Sequence, residues 1–321
     1  MLDTIAATLP FTVAPLDAAV PFGARVEGLT HADLDRAEVR QALFDLWIDR
    51  GVILFRGAQD SAFHVALSEV FGPLERHAFR EAWVDGHPEL VNIKYYPDDG
   101  TVYTVDGRPR GGFLPWHSDL IYTDRINRGG ILRPVRLPAR GGMTGFIDQI
   151  AAYDTLPDGL KERIEGLHVV YQMDLNAAHM RFGARQSLRL ERFARSGAKI
   201  ALREWHYPRV LHPMVFRQPE TRRAVLNVSP WFAVGIYELG GLEGERLLAE
   251  VVDHCLDATP AYHHAWQEGD MVLWDNWRTL HSASGVAPEE TRVMQRTTIA
   301  GDYALGRTLD GGGAGLPRVD V

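Results

Sequence analysis

The sequence predicts a mixed β protein with peripheral helices and a double-stranded β-helix (jelly-roll) core, and three observations predict it. Short apolar runs punctuated by Gly and Pro recur from residue 130 onward, at 130–134, 142–147, 167–172, 224–228, 271–274 and 293–300. Many short strands separated by turns are the signature of a sandwich or barrel. Helical periodicity is confined to a few flanking segments, so the helices decorate the sheets. No G-x-G-x-x-G motif follows a strand and opens a helix, which disfavours a doubly wound nucleotide fold.

Along the chain, residues 33–50 place Val39, Leu43, Leu46 and Trp47 at amphipathic-helix spacing, and Gly51 stops the helix. Val52-Ile53-Leu54-Phe55 reads as a buried strand, and 61–71 as a second helix. Residues 89–96 form another strand. The glycine-rich 100–113 stretch reads as a loop leading into His117, and further helices are expected at 157–165 and 244–256. The whole of 1–321 reads as one domain. A lid is expected near 174–203 and a flexible tail near 308–321, where Gly311-Gly312-Gly313 lies.

Composition narrows the function. The chain of 321 residues carries a formal net charge of −8, which argues against nucleic-acid binding, since that needs a basic footprint. A single cysteine, Cys255, excludes an intrachain disulfide and any Cys-rich metal site, and it reads as a small packed residue. Residues 1–24 hold no Lys or Arg and no long apolar run, unlike a secretory signal. No window reaches the ~20 apolar residues of a membrane span. A cytoplasmic protein without membrane or nucleic-acid partners is expected; a homo-oligomer is compatible with the sequence.

The chemistry concentrates in Trp116-His117-Ser118-Asp119, His281, Arg292 and Arg296. In an extended segment His117 and Asp119 point to one face, because strand side chains alternate. A second imidazole from His281 would complete two nitrogens and one carboxylate, the facial set that leaves open positions on ferrous iron. His281 is expected to follow the 271–276 strand, with 284–290 as the turn and 291–300 as the returning strand. Arg292 and Arg296 share a face of that strand, ~13 Å apart at ~3.3 Å per residue, a spacing that suits two different anions.

These residues bring the chain to a known family. With W-H-S-D at 116–119, G-G-M-T at 141–144, W-D-N-W-R-T-L-H at 274–281 and R-V-M-Q-R at 292–296, it resembles the taurine dioxygenase and 2,4-dichlorophenoxyacetate dioxygenase family of iron(II)/2-oxoglutarate oxygenases, over roughly 22–300. Weaker echoes lie at 51–56, 71–77 and 211–213. The resemblance implies that His117, Asp119 and His281 bind Fe(II). It implies that Thr144 and Arg292 hold the far carboxylate of 2-oxoglutarate, since a guanidinium fork suits a carboxylate. It further implies that His77, Tyr122 and Arg296 receive a small anionic, carboxylate-bearing substrate. The implied reaction consumes O2 and 2-oxoglutarate, releases succinate and CO2, and hydroxylates a C–H bond, with desaturation or oxidative cleavage as alternatives. Asp119 occupies the place a halide would need, which argues against halogenation.

The chain departs from the family at Trp277, where relatives commonly carry Arg directly after W-D-N; here Arg278 comes next. Two rival classes share the ligand set: a zinc hydrolase, which would work without oxygen, and a non-catalytic binder. Arg181, Arg185, Arg189 and Arg192, spaced by four, four and three, read as one face of a helix. That face is either a basic cover for an acidic substrate or simply solvated. The His263-His264 pair reads as a strand-end surface feature, and Trp231-Phe232 as packing.

Overall fold

In the computed structural model, residues 9–57, 60–76, 83–195, 207–302 and 304–309 are described. The strands form two large sheets. The first, of nine strands, orders Thr12–Pro15, Ala24–Glu27, Val52–Arg56, Asp270–Asp275, Gly129–Arg136, Arg292–Ile299, His87–Tyr95 and Trp83–Val84, with Leu74–Glu75 pairing the Arg292–Ile299 strand. The second, of six strands, orders Leu188–Arg192, Val102–Val105, Arg108–His117, Thr279–Val286, Thr144–Asp148 and Ala261–His264.

Successive strands alternate between the two sheets. Arg108–His117 lies in the second, Gly129–Arg136 in the first and Thr144–Asp148 in the second. Asp270–Asp275, Thr279–Val286 and Arg292–Ile299 repeat the alternation. This winding is the double-stranded β-helix, with the two inner faces enclosing the site.

The pleat explains why Val52-Ile53-Leu54-Phe55 is buried throughout. Ile53 and Phe55 join Leu43, Trp47, Ile131 and Leu273 under the Ala37–Arg50 helix, on the outer face of the first sheet. Val52 and Leu54 point the other way, to Phe146, Val272 and Trp274 between the sheets. A strand covered on both faces reads as a continuous apolar run. Gly51, at φ +75° and donating its N–H to the Trp47 carbonyl, ends the helix as expected. The largest apolar cluster lies under the Gln149–Thr155 and Gly241–Asp257 helices, where Leu247, Leu248, Val251 and Val252 pack on Ile150 and Leu280. Cys255 belongs to this cluster, and burial pushes its thiol up to about 12.

Several expectations of loop, turn and helix fail where the chain pairs into strands. The 100–113 stretch is not a loop but a hairpin, Val102–Val105 against Arg108–His117, turned at Asp106-Gly107, both at positive φ. The Thr279–Val286 strand includes His281 and takes up the first three residues of the expected 284–290 turn, which closes at 287–290, where the Glu290 N–H donates to the Ala287 carbonyl. The four arginines share no helix. Arg189 and Arg192 lie in the Leu188–Arg192 strand, which pairs with Val102–Val105. Arg181 reaches Glu245, and Arg185 reaches Asp253 and Asp257, on the Gly241–Asp257 helix. The expected lid thus includes a pinned strand; residues 196–203 of it lie outside the described residues. In the expected tail, Arg307–Thr308 pairs with Val210–Leu211, and 310–321 lie outside the described residues.

Candidate metal and co-substrate site

His117 and His281 face each other across neighbouring antiparallel strands, as direct Cα partners. Their ring centroids are 4.2 Å apart. Asp119 stands beyond the end of its strand, so the pleat does not aim it. Asn276 does: its Oδ1 accepts the Asp119 N–H at 2.8 Å, and its Nδ2 donates to the Asp119 carbonyl at 2.9 Å. Asn276 is anchored in turn by Asn127, whose Oδ1 lies 3.1 Å away. Ser229 Oγ accepts the neighbouring Ser118 N–H at 3.1 Å. Asp119 Oδ1 thereby lies 3.7 Å from His117 Nε2 and 3.6 Å from His281 Nε2.

The ligand atoms of the three residues lie within 4.8 Å of one another. Their chemistry fits a divalent ion. His117 Nδ1 is 2.8 Å from the Pro115 carbonyl, which can only accept, so the proton sits on Nδ1 and the Nε2 lone pair is free. Burial, then the His117 ring, lowers the His281 pKa to about 4, which keeps that imidazole neutral near pH 7. Its orientation comes from the strand register and from the Trp274 ring at 5.3 Å. Burial alone would raise the Asp119 carboxyl; Arg296, followed by the two histidines, holds it well below its usual range. The carboxylate divides its oxygens: Oδ2 takes Arg296 Nη1 at 2.7 Å, while Oδ1 faces the imidazoles.

A second set of polar groups comes from both sheets, with Thr144 on the strand beside that of His281 and Arg292 on the other sheet. Thr144 leads its strand, and its Oγ1 is 3.4 Å from Arg292 Nη2. Arg292 Nε donates to the Gly142 carbonyl at 3.2 Å. Gly142 stands at φ +70°, and a Cβ there would come within 3.1 Å of Arg292 Cδ. Glycine meets both constraints. Among the described residues no carboxylate pairs with Arg292. Burial lowers its pKa to about 10, still charged at neutral pH. A half-buried guanidinium without an acid is costly unless an anion visits.

Of the eight residues singled out in the sequence, His117, Asp119, His281 and Arg296 form one group and Thr144 with Arg292 another; His77 lies outside the described residues. Tyr122 stands beside the metal-ligand cluster, edge-on to Phe232 at 4.9 Å and to Tyr207 at 5.4 Å. Arg296, expected to await a substrate anion, already engages Asp119. Trp231 and Phe232 do more than pack: they stack at 4.3 Å, and Trp231 meets the His117 ring at 5.3 Å. Of the histidine pair, His263 is exposed but His264 is buried. Asn276 lay inside a motif already noticed, but nothing local revealed its grip on Asp119. The departure at Trp277 is also resolved. Arg278 forms a bidentate pair with Asp148 at 2.8 and 2.9 Å, and Arg128 stacks on Trp277 at 4.2 Å.

A jelly roll enclosing two imidazoles, one carboxylate and a separate desolvated cation defines a mononuclear iron oxygenase that takes an organic-acid co-substrate. Comparison with known proteins gives the family. Residues 12–298 match the taurine catabolism dioxygenase TauD, TfdA family, and the chain belongs to it. It is similar to the (S)-phenoxypropionate/alpha-ketoglutarate-dioxygenase of Sphingobium herbicidovorans, 32% identical over 298 residues, covering 92% of this chain and 96% of that protein. The alpha-ketoglutarate-dependent 2,4-dichlorophenoxyacetate dioxygenase of a Burkholderia species is 30% identical over 280 residues, covering 84% and 87%. A crystal structure of a taurine dioxygenase from Burkholderia xenovorans superposes with a TM-score of 0.68 at 25% identity, covering 94% of this chain and 96% of that one. The protein is an Fe(II)- and 2-oxoglutarate-dependent dioxygenase, an oxidoreductase that also consumes O2. Among the described residues no helix is long and apolar enough to cross a membrane.

Proposed function

We propose that this dioxygenase hydroxylates a C–H bond of a small carboxylate-bearing acid with an apolar or aromatic body, in the cytoplasm. His117, Asp119 and His281 hold the iron, and Thr144 with Arg292 holds the far carboxylate of 2-oxoglutarate. Arg296, Tyr122 and His77 receive the substrate. The observation that carries this reading is the pair of guanidiniums on one strand, one of them beside the metal-ligand cluster and the other without an acid among the described residues.

The bound ferrous ion supplies the oxidative chemistry, in which 2-oxoglutarate and O2 yield succinate, CO2 and an oxidised substrate. The chain's own residues position and exclude. Arg292 and Thr144 fix one end of the keto acid, so its keto end is presented to the histidines without a search over orientations. Arg296 keeps Asp119 ionised and its Oδ2 occupied, leaving Oδ1 as the ligand atom. The guanidinium's other donors remain for a substrate anion. Trp231, Phe232 and Tyr122 form an apolar wall that keeps water from the reacting carbon. The phenoxy acids named for the Sphingobium and Burkholderia relatives combine a carboxylate with an aromatic ring, which matches this wall and cation.

The test is a panel of aryloxy acids, aliphatic carboxylates, sulfonates and amino acids, supplied with Fe(II), 2-oxoglutarate and air. Aryloxy acids should raise succinate release severalfold above the substrate-free background, with a hydroxylated product or its breakdown product in equal amount. Succinate release stimulated only by uncharged or cationic compounds would refute the substrate assignment.

A further inference from the structure

Trp266 follows the Ala261–His264 strand, which pairs with the Thr144–Asp148 strand so that Thr144 lies opposite His264. Its indole Nε1 donates to Thr144 Oγ1 at 3.0 Å. A threonine hydroxyl has one proton to give and two lone pairs to fill. Here Trp266 fills one lone pair, and Arg292 Nη2, at 3.4 Å, approaches as the second donor. The hydroxyl proton is then left for a third partner, which must be an acceptor.

The indole is itself held in place. It stands edge-on to the buried His264 ring, centroids 4.6 Å apart and planes at 86°. The Tyr262 hydroxyl lies 2.8 Å from His264 Nδ1, and Asp270 Oδ2 lies 3.1 Å from Nε2, close by but not aligned for a hydrogen bond. The other oxygen of Asp270 takes Arg56 Nε at 3.1 Å. Arg56, Asp270, His264 and Trp266 thus form a continuous buttress behind Thr144, rooted in the first sheet and ending on one hydroxyl of the second.

We propose that Trp266 is a positioning residue for the co-substrate: its N–H directs the Thr144 hydroxyl proton toward the far carboxylate of 2-oxoglutarate. The proposal rests on Thr144 and Arg292 gripping that carboxylate. Without the indole donor, one constraint on the hydroxyl is lost, and the carboxylate loses an aligned donor.

Trp266→Phe keeps an aromatic ring against His264 and removes only the N–H. The measurement is the Kd for 2-oxoglutarate, by calorimetry on the Fe(II)-loaded protein without oxygen. Trp266→Phe should weaken 2-oxoglutarate roughly fivefold, within the ~0.5–1.5 kcal/mol that a single hydrogen bond contributes. Its thermal midpoint should stay near that of the parent, and the KM for the prime substrate should not move. Thr144→Val should weaken 2-oxoglutarate further, and adding Trp266→Phe to Thr144→Val should change nothing more, because both act through one hydroxyl. An unchanged Kd in Trp266→Phe, or an equal loss when it is added to Thr144→Val, overturns the proposal while leaving the carboxylate grip intact. If Thr144→Val and Arg292→Ala also leave the Kd unchanged, the grip itself is wrong.

Discussion

Arg292 and Arg296 lie four residues apart on one strand and share a face, yet their surroundings are opposite. Arg296 meets a carboxylate at 2.7 Å. Arg292 meets a threonine hydroxyl and a backbone carbonyl, with no acid among the described residues. Arg278, buried against Asp148, gives the ordinary solution for an interior guanidinium: a bidentate acid and two further carbonyls, those of Ile48 and Asp49. The difference teaches where to look for a ligand. A cation whose partners are already in the fold is structural or conditional; a desolvated cation provided only with neutral acceptors is waiting for an anion.

The sharpest contrast is with Arg278. Arg278→Met should leave Asp148 buried and unpaired, and should lower the unfolding free energy by about 3–5 kcal/mol. Arg292→Met should cost far less, or stabilise the ligand-free protein, because it removes a cation that no acid neutralises among the described residues. Urea denaturation of the two variants checks this. A larger loss for Arg292→Met would mean that Arg292 has a structural partner after all.

Histidines sharpen the contrast from another side, since a buried imidazole can shed its proton and a guanidinium cannot. Burial lowers His64 to about 3 and His212 to about 4, and both rings lie against backbone carbonyls, those of Ile131 and Thr123. Below the unfolded value of ~6.5 the unfolded chain binds protons that the folded chain refuses. Stability is therefore complete above that pH and declines as pH falls toward the folded values. At pH 5.5 the loss should be about 1.4 kcal/mol for each of these histidines. Chemical denaturation of the metal-free protein at pH 7.5 and 5.5 measures it, and equal stability at the two pH values would contradict the burial of neutral rings.

The sequence showed most of the site and less of the fold, for a physical reason. Metal ligands and carboxylate-binding cations are rare residue types in fixed local order, so His117, Asp119, His281, Thr144 and Arg292 could be picked out before any topology was known. The strand at 188–192 could not. Arg181, Arg185, Arg189 and Arg192 mimic helical spacing, but Val102–Val105 holds the strand, and acids on a helix more than fifty residues away hold Arg181 and Arg185. The hairpin at 102–117, by contrast, carried a local signal in its Asp106-Gly107 turn, masked by the glycines that made the stretch read as a loop. Asn276 and Trp266 act on Asp119 and Thr144 across gaps of 157 and 122 residues, and no periodicity records such contacts.

The most direct test of the central claim, that Arg292 anchors the co-substrate and Arg296 does not, is a paired titration of 2-oxoglutarate into Arg292→Ala and Arg296→Ala. Both variants should be loaded with Fe(II), kept free of oxygen and checked for iron content. Arg292→Ala should bind 2-oxoglutarate on the order of a hundredfold more weakly than the parent, as expected for losing one charged partner of a buried pair. Arg296→Ala should stay within about threefold of the parent, since its guanidinium faces Asp119 and not the keto acid. Equal losses in the two variants, or a loss confined to Arg296→Ala, would contradict the assignment.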